Sequence, residues 1–303
     1  MSEAPYLTIG VHDCSEVRYH ADDICSEPSL SRSFAHTMLT ECPLKAYLSS
    51  PRLNRNFTPK APTAAMEFGS LCHKLILGKG AEVDICSKSD WKTDFAQEFR
   101  ADSRANGRMP VLQKNHEKGL LLREGVMREL KRLGMLDDFE ASLKEQVYIW
   151  RQDGCYLRSM VDASLVDKGN ATATVFDLKV TSDACPEACF KSIASKGYDL
   201  QAFFQMQAIQ STGREVGLHV EGRTRHVFIF IDDSFPFLVS PVTLSAEFLH
   251  IGRSKFGRAL TLFKGCMATG TWPGYSAGIL TAEPKSWDAQ REMEAGGLGE
   301  ALG

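Results

Sequence analysis

The chain has 303 residues, 43% hydrophobic and 24% charged, which is the balance of a soluble globular protein with room for a sizeable core. A formal net charge of −3 supplies no global basic field, so any nucleic-acid surface has to be local. Nine cysteines without a C-x-x-C, no signal-peptide pattern and no membrane-length apolar run exclude a disulfide scaffold and a membrane span. They predict a cytoplasmic protein with free thiols.

Residues 1–30 are polar and predict an irregular segment. "LSRSFAHTMLTECPLKAYLSSP" predicts a helix capped by Ser31 or Ser33, with Phe34, Met38 and Leu39 as its apolar stripe. After the Pro-rich "NRNFTPKAPT" comes "AAMEFGSLCHKLILG", a helix that carries His73 and ends at Gly78. Residues 100–132 are rich in Arg and Lys, only partly offset by acids. Three strands follow, "EQVYIWR", "CYLRSMVDASLVD" and "TATVFDLKVT", joined by the turn signals Asp153-Gly154 and Gly169-Asn170. "PEACFKSIASKG" and "YDLQAFFQMQAIQSTG" predict two helices, the first started by Pro186 and ended by Gly197. "TRHVFIFID" and "FLVSPVTL" are strands, and "SAEFLHIGRSKFGRALTLFKGCMATG" is a long helix. The domain expectation is a single α/β domain over 31–288, in coarse order α, βββ, α, β, with a disordered tail at 289–303.

The hairpin around Gly169-Asn170 carries the chemistry. A symmetric turn pairs residues whose numbers sum to 339, so Asp162 faces Asp177 and Met160 faces Lys179. Val161, Ala163 and Leu165 then share an apolar core face with Leu178, Phe176 and Thr174. Asp162, Asp177 and Lys179 point to the opposite, polar face. Two carboxylates about 5 Å apart repel one another, and a divalent cation such as Mg²⁺ or Mn²⁺ removes that cost. By the same reasoning an Asn at 177 is expected to leave stability unchanged or higher. A solvated strand edge would carry the same alternation.

"LSRSF…LTECPLKAYLSSP", "TAAMEFGSLCHKLILG", "YLRSMVDASLVD…ATVFDLKVTSDA", "GYDLQAFFQMQAI" and "GTWPGYS…EPKSW" stand in this order from about residue 30 to 287. Together they resemble the RecE-type (exonuclease VIII-like) phage recombination exonucleases, within the RecB/YqaJ-like group of the PD-(D/E)xK nucleases. The resemblance implies a restriction-endonuclease-like αβββαβ core with a mixed sheet flanked by helices. It implies metal ligation by His73, Asp162, Asp177 and the Leu178 carbonyl, and Lys179 as the catalytic lysine that orients or helps deprotonate the attacking water. Gln201 matches the glutamine of the family's Q-x-x-x-Y motif, but the tyrosine position is Gln205 here, and Tyr198 is near enough to substitute in part. Glu67 reads as a second-layer group or a solvated acid.

The implied activity is Mg²⁺-dependent exonuclease action on linear double-stranded DNA ends, 5′ to 3′, releasing 5′-mononucleotides and leaving 3′ single strands. A ring-like homo-oligomer and a single-strand annealing protein are the implied partners. The basic stretch 100–132 and "GRSKFGRALTLFKG" are candidate DNA-backbone surfaces, or solvated helix faces. A branch with an iron–sulfur cluster is excluded, because only Cys266 of the required late cysteines lies near the C-terminal end. The alternative is a non-catalytic DNA-binding or scaffold protein on a decayed nuclease fold; the presence of His73, Asp162, Asp177 and Lys179 argues against it.

Overall fold

The segment expected to be irregular is structured where it is described, and two of its stretches join the sheet. In the computed structural model, which describes residues 6–220, 222–275 and 278–294, Gly10–Asp13 forms β1, Glu16–Ala21 forms α1 and Ser29–Leu30 forms β2. Ser31 then caps α2, Arg32–Thr40, by accepting from Phe34 N–H. The single helix expected here is broken, and α3 restarts at Pro43–Leu48. Pro43 has no N–H to give, and its ring forces Cys42 into an extended conformation. Thr63 caps α4, Ala64–Leu77, and Gly78 closes it at φ 74.

The basic stretch lies in an insertion and the helix after it. β3, Val83–Cys86, pairs in parallel with β4, Met109–Leu112, across α5, Asp94–Ala105. α6, Gln113–Arg132, and α7, Leu136–Ala141, lead into β5, Leu143–Gln152, β6, Cys155–Asp167, and β7, Thr172–Thr181. Asp153 and Gly154, at φ 50 and 86, make the first hairpin turn as their sequence predicts. α8, Pro186–Ser195, and α9, Tyr198–Glu215, cross over to β8, Thr224–Asp232, so β7 and β8 run parallel. β9, Val239–Thr243, and α10, Ala246–Thr269, complete the main unit, which ends at Trp272. Pro273–Gly303 is a separate unit containing α11, Ser286–Glu294; this helix covers the start of the expected tail, and residues 295–303 lie outside the described residues.

The seven-stranded sheet runs β1-β5-β6-β7-β8-β9, with β2 beside β6. Helices cover both of its faces. On one, Leu200 and Phe204 of α9, Phe256 and Leu260 of α10 and Met38 of α2 pack on Trp150 and Val175. On the other, Cys72 and Ile76 of α4, Leu122 and Val126 of α6 and Phe139 of α7 pack on Phe176, Leu178 and Ile229. β7 therefore has no solvated face, contrary to the polar face expected of its hairpin.

The expected register holds from Ala163–Phe176 to Asp167–Thr172, but the ladder stops just short of Asp162. On the other side, Lys144 pairs with Ala163 and Gln146 with Val161, passing over Glu145 and Asp162, and Glu145 sits at φ 48. The pairing sum is the same on both sides of this gap, so no residue is inserted; the ladder opens around the left-handed Glu145, and Val161 packs under α9 while Ala163 packs under α4. The expected common core face of Val161 and Ala163 is split there.

Candidate active site

The acids part where the ladders open. Asp162 does not stand face to face with Asp177. It leans toward α4, where its Oδ2 accepts from Leu178 N–H at 2.8 Å and lies 3.7 Å from His73 Nδ1. His73 comes down the face of α4 that also presents Met66, Gly69 and Ser70, and this face borders a cavity of about 360 Å³ shared with Glu145 and Asp162. Leu178 thus meets Asp162 through its N–H, whereas the resemblance implied a role for its carbonyl.

Asp177 lies on the α9 side and is fully buried. Lys179 donates to its Oδ1, and Gln201 and Gln205 both donate to its Oδ2, Gln205 at 3.1 Å. The two glutamines reach it together because i and i+4 share a helix face. Gln205 in turn accepts from His226 Nε2 at 2.6 Å. The Lys179 ammonium stands 4.9 Å from the Tyr198 ring centroid and 5.7 Å from that of Phe228.

Although they lean to different helices, the acids share one field. Burial pushes the Asp162 carboxyl up and the charge of Asp177 adds to it, against the pull of His73 and Lys179. Burial pushes Asp177 up as well, but Lys179 and the hydrogen bonds it accepts outweigh that and hold it below the ordinary carboxylate range. One acid is therefore committed to its charge, and the other is under-compensated beside it. Two carboxylates and an imidazole are the donor set of a divalent cation that prefers oxygen, so the residue chemistry fits a metal. Their present spacing is wider than a closed shell: among the described residues, no three His, Cys, Asp or Glu side chains are grouped to hold an ion.

Other expected roles resolve differently. Glu67 is neither beside the acids nor solvated; it binds Arg100 at 2.7 and 2.9 Å and also Arg104. Arg108 bonds Asp84 at 2.7 Å and Arg132 bonds Glu129 at 2.6 Å, so part of the basic stretch neutralises local acids. In the second basic segment, Lys255 binds the buried Asp199 at 2.6 Å. His226 and Glu145 have no counterpart in the expected site. The signal for His226 was a lone polar residue opening the apolar run "HVFIFI"; nothing in the sequence marks Glu145.

A family model described as a PDDEXK-like domain of unknown function, DUF3799, matches residues 33–282. The chain belongs to this PDDEXK-like family. The match to DUF3799 spans His73, Asp162, Asp177, Lys179, Gln201, Gln205 and His226. A solved structure described as a "putative exonuclease" from Eubacterium rectale is 12% identical with a TM-score of 0.55. The alignment covers 92% of this chain and 98% of that one. At that identity the likeness shows the fold: the mixed sheet flanked by helices that the resemblance implied. No curated protein matches the chain. Among the described residues no helix is long and apolar enough to cross a membrane.

Proposed function

We propose that this DUF3799 chain is a divalent-metal-dependent exonuclease of the RecE type, acting 5′ to 3′ on linear double-stranded DNA and leaving 3′ single strands. The observation that carries this reading is the buried Asp177–Lys179 pair on the strand next to the His73–Asp162 pair, where the β6–β7 ladder opens. His73, Asp162 and Asp177 would hold Mg²⁺ or Mn²⁺. When bound, such a cation makes its water a better nucleophile and offsets charge at the phosphoryl oxygens.

The protein's own groups do the rest. Lys179 orients the attacking water and opposes charge at the scissile phosphate, and its partner Asp177 fixes where that ammonium stands. Gln201 holds the Asp177 carboxylate from α9. Tyr198 and Phe228 give the ammonium an aromatic flank, which limits the water around it. Release of 5′-mononucleotides, a ring-like homo-oligomer and a single-strand annealing partner belong to the same reading by resemblance.

The test is digestion of a linear duplex labelled at either 5′ or 3′ ends, with Mg²⁺, with Mn²⁺ and with chelator, beside a covalently closed circle. Metal-dependent loss of the 5′ label as mononucleotide, with the circle intact, is the expected result. Cutting of the circle, or loss of the 3′ label first, would refute the exonuclease polarity proposed.

A further inference from the structure

His226 stands on β8 among apolar residues, 3% exposed, its ring 4.4 Å from that of Phe228. Its Nδ1 is buried with no hydrogen-bond partner. A phenylalanine there would fill much the same space without an unsatisfied atom, so what the imidazole adds is the other nitrogen. That nitrogen, Nε2, meets Gln205 Oε1 at 2.6 Å.

Donor and acceptor logic fixes the chain of bonds. Asp177 already takes donors from Lys179 and Gln201, so it is an acceptor to every neighbour it has. Gln205 must then turn its NH₂ toward Asp177 and its carbonyl toward β8. A carbonyl needs a donor, which requires the proton of His226 to be on Nε2 and leaves Nδ1 bare, the atom found without a partner. Reversing the amide would set its carbonyl against the carboxylate and its NH₂ against the imidazole. Without the imidazole the carbonyl end has no anchor, and the amide is free to turn off Asp177. Both amides sit on Oδ2 and the lysine sits on Oδ1, so this anchoring sets the plane of the carboxylate.

We propose that His226 is a positioning residue, holding the Gln205 amide so that Gln205 fixes the Asp177 carboxylate in the plane from which Oδ1 serves Lys179 and the cation. The purpose rests on the nuclease reading above, but the geometry does not. In full-length protein with ¹⁵N-labelled histidine, long-range ¹H–¹⁵N correlation should show His226 as the Nε2–H tautomer, and Gln205→Met should shift those resonances. Calorimetry with Mn²⁺ should show affinity weakened ~10–100-fold by His226→Phe, with kcat lowered similarly and the KM for DNA little changed. His226→Gln, whose amide reaches the place of Nε2, should restore both to within about threefold. An Nδ1–H tautomer in the wild type overturns the proposal, as does a folded His226→Phe with unchanged Mn²⁺ affinity. If His226→Phe does not fold, the wild-type tautomer and His226→Gln decide. If the wild type cleaves no DNA the nuclease reading fails, while the tautomer and Mn²⁺ affinity still judge this one.

Discussion

Removing the charge of Asp177 would leave Lys179, only 16% exposed, without its counter-ion and would turn an amide NH₂ toward donors from Gln201 or Gln205. Asp177→Asn should therefore abolish metal-dependent hydrolysis and also destabilise the fold by about 3 kcal/mol, the low end for breaking a buried pair. A urea midpoint unchanged in chelator would contradict the pairing. The expectation that this change would be neutral or stabilising rested on two facing acids that repel, and the buried pairing of Asp177 with Lys179 reverses its sign. His226 makes a second residue-scale prediction. Burial pushes its imidazole down to about 4, so the folded protein favours the neutral ring. The contribution is then fully present above the ordinary value near 6.5 and is lost as pH falls toward 4, because the unfolded chain takes up the proton first. Over that window the loss is about 3 kcal/mol. Urea titrations at pH 7 and pH 4.5 should differ more for the wild type than for His226→Phe.

At the scale of elements, α9 and α10 meet closely at Gly252, where a Cβ would overlap the Asp199 carbonyl oxygen and lie 3.1 Å from Phe203 Cβ. Gly252→Ala should push the helices apart and disturb the nearby Lys255–Asp199 pair, costing about 1–3 kcal/mol. A melting temperature equal to wild type would mean the contact relaxes freely. The same helix shows how far periodicity carries. Its apolar spacing made α10 legible despite three internal glycines, but spacing cannot say that Gly252 is where another backbone passes. The hairpin tells the same story. Gly169-Asn170 fixed the pairing from Ala163 to Asp167, yet the gap at Glu145 and Asp162 lies against a third strand and so left no mark in the hairpin itself. The two acids were legible as a pair because period and turn place them near each other. Which helix each one serves was set by tertiary packing.

For the whole molecule, an acidic total confines any DNA-backbone contact to a local surface, and the ion pairs narrow it further. Arg100 and Arg104 are occupied by Glu67, and Arg108 by Asp84, so these charges serve the insertion rather than a phosphate. Composition alone could not separate them from Lys114, Arg123, Arg128 and Lys131, which are exposed along α6. Those are the residues expected to meet DNA. Each phosphate contact releases condensed counterions, so binding weakens with salt in proportion to the number of contacts. With Ca²⁺ present to slow turnover, Arg123→Glu combined with Lys131→Glu should weaken duplex binding. It should also reduce the slope of log affinity against log salt by about two. Arg104→Ala should lower stability and leave that slope unchanged. The reverse pattern, a shallower slope for Arg104→Ala and none for the α6 pair, would move the DNA surface from α6 to the β3–α5–β4 insertion.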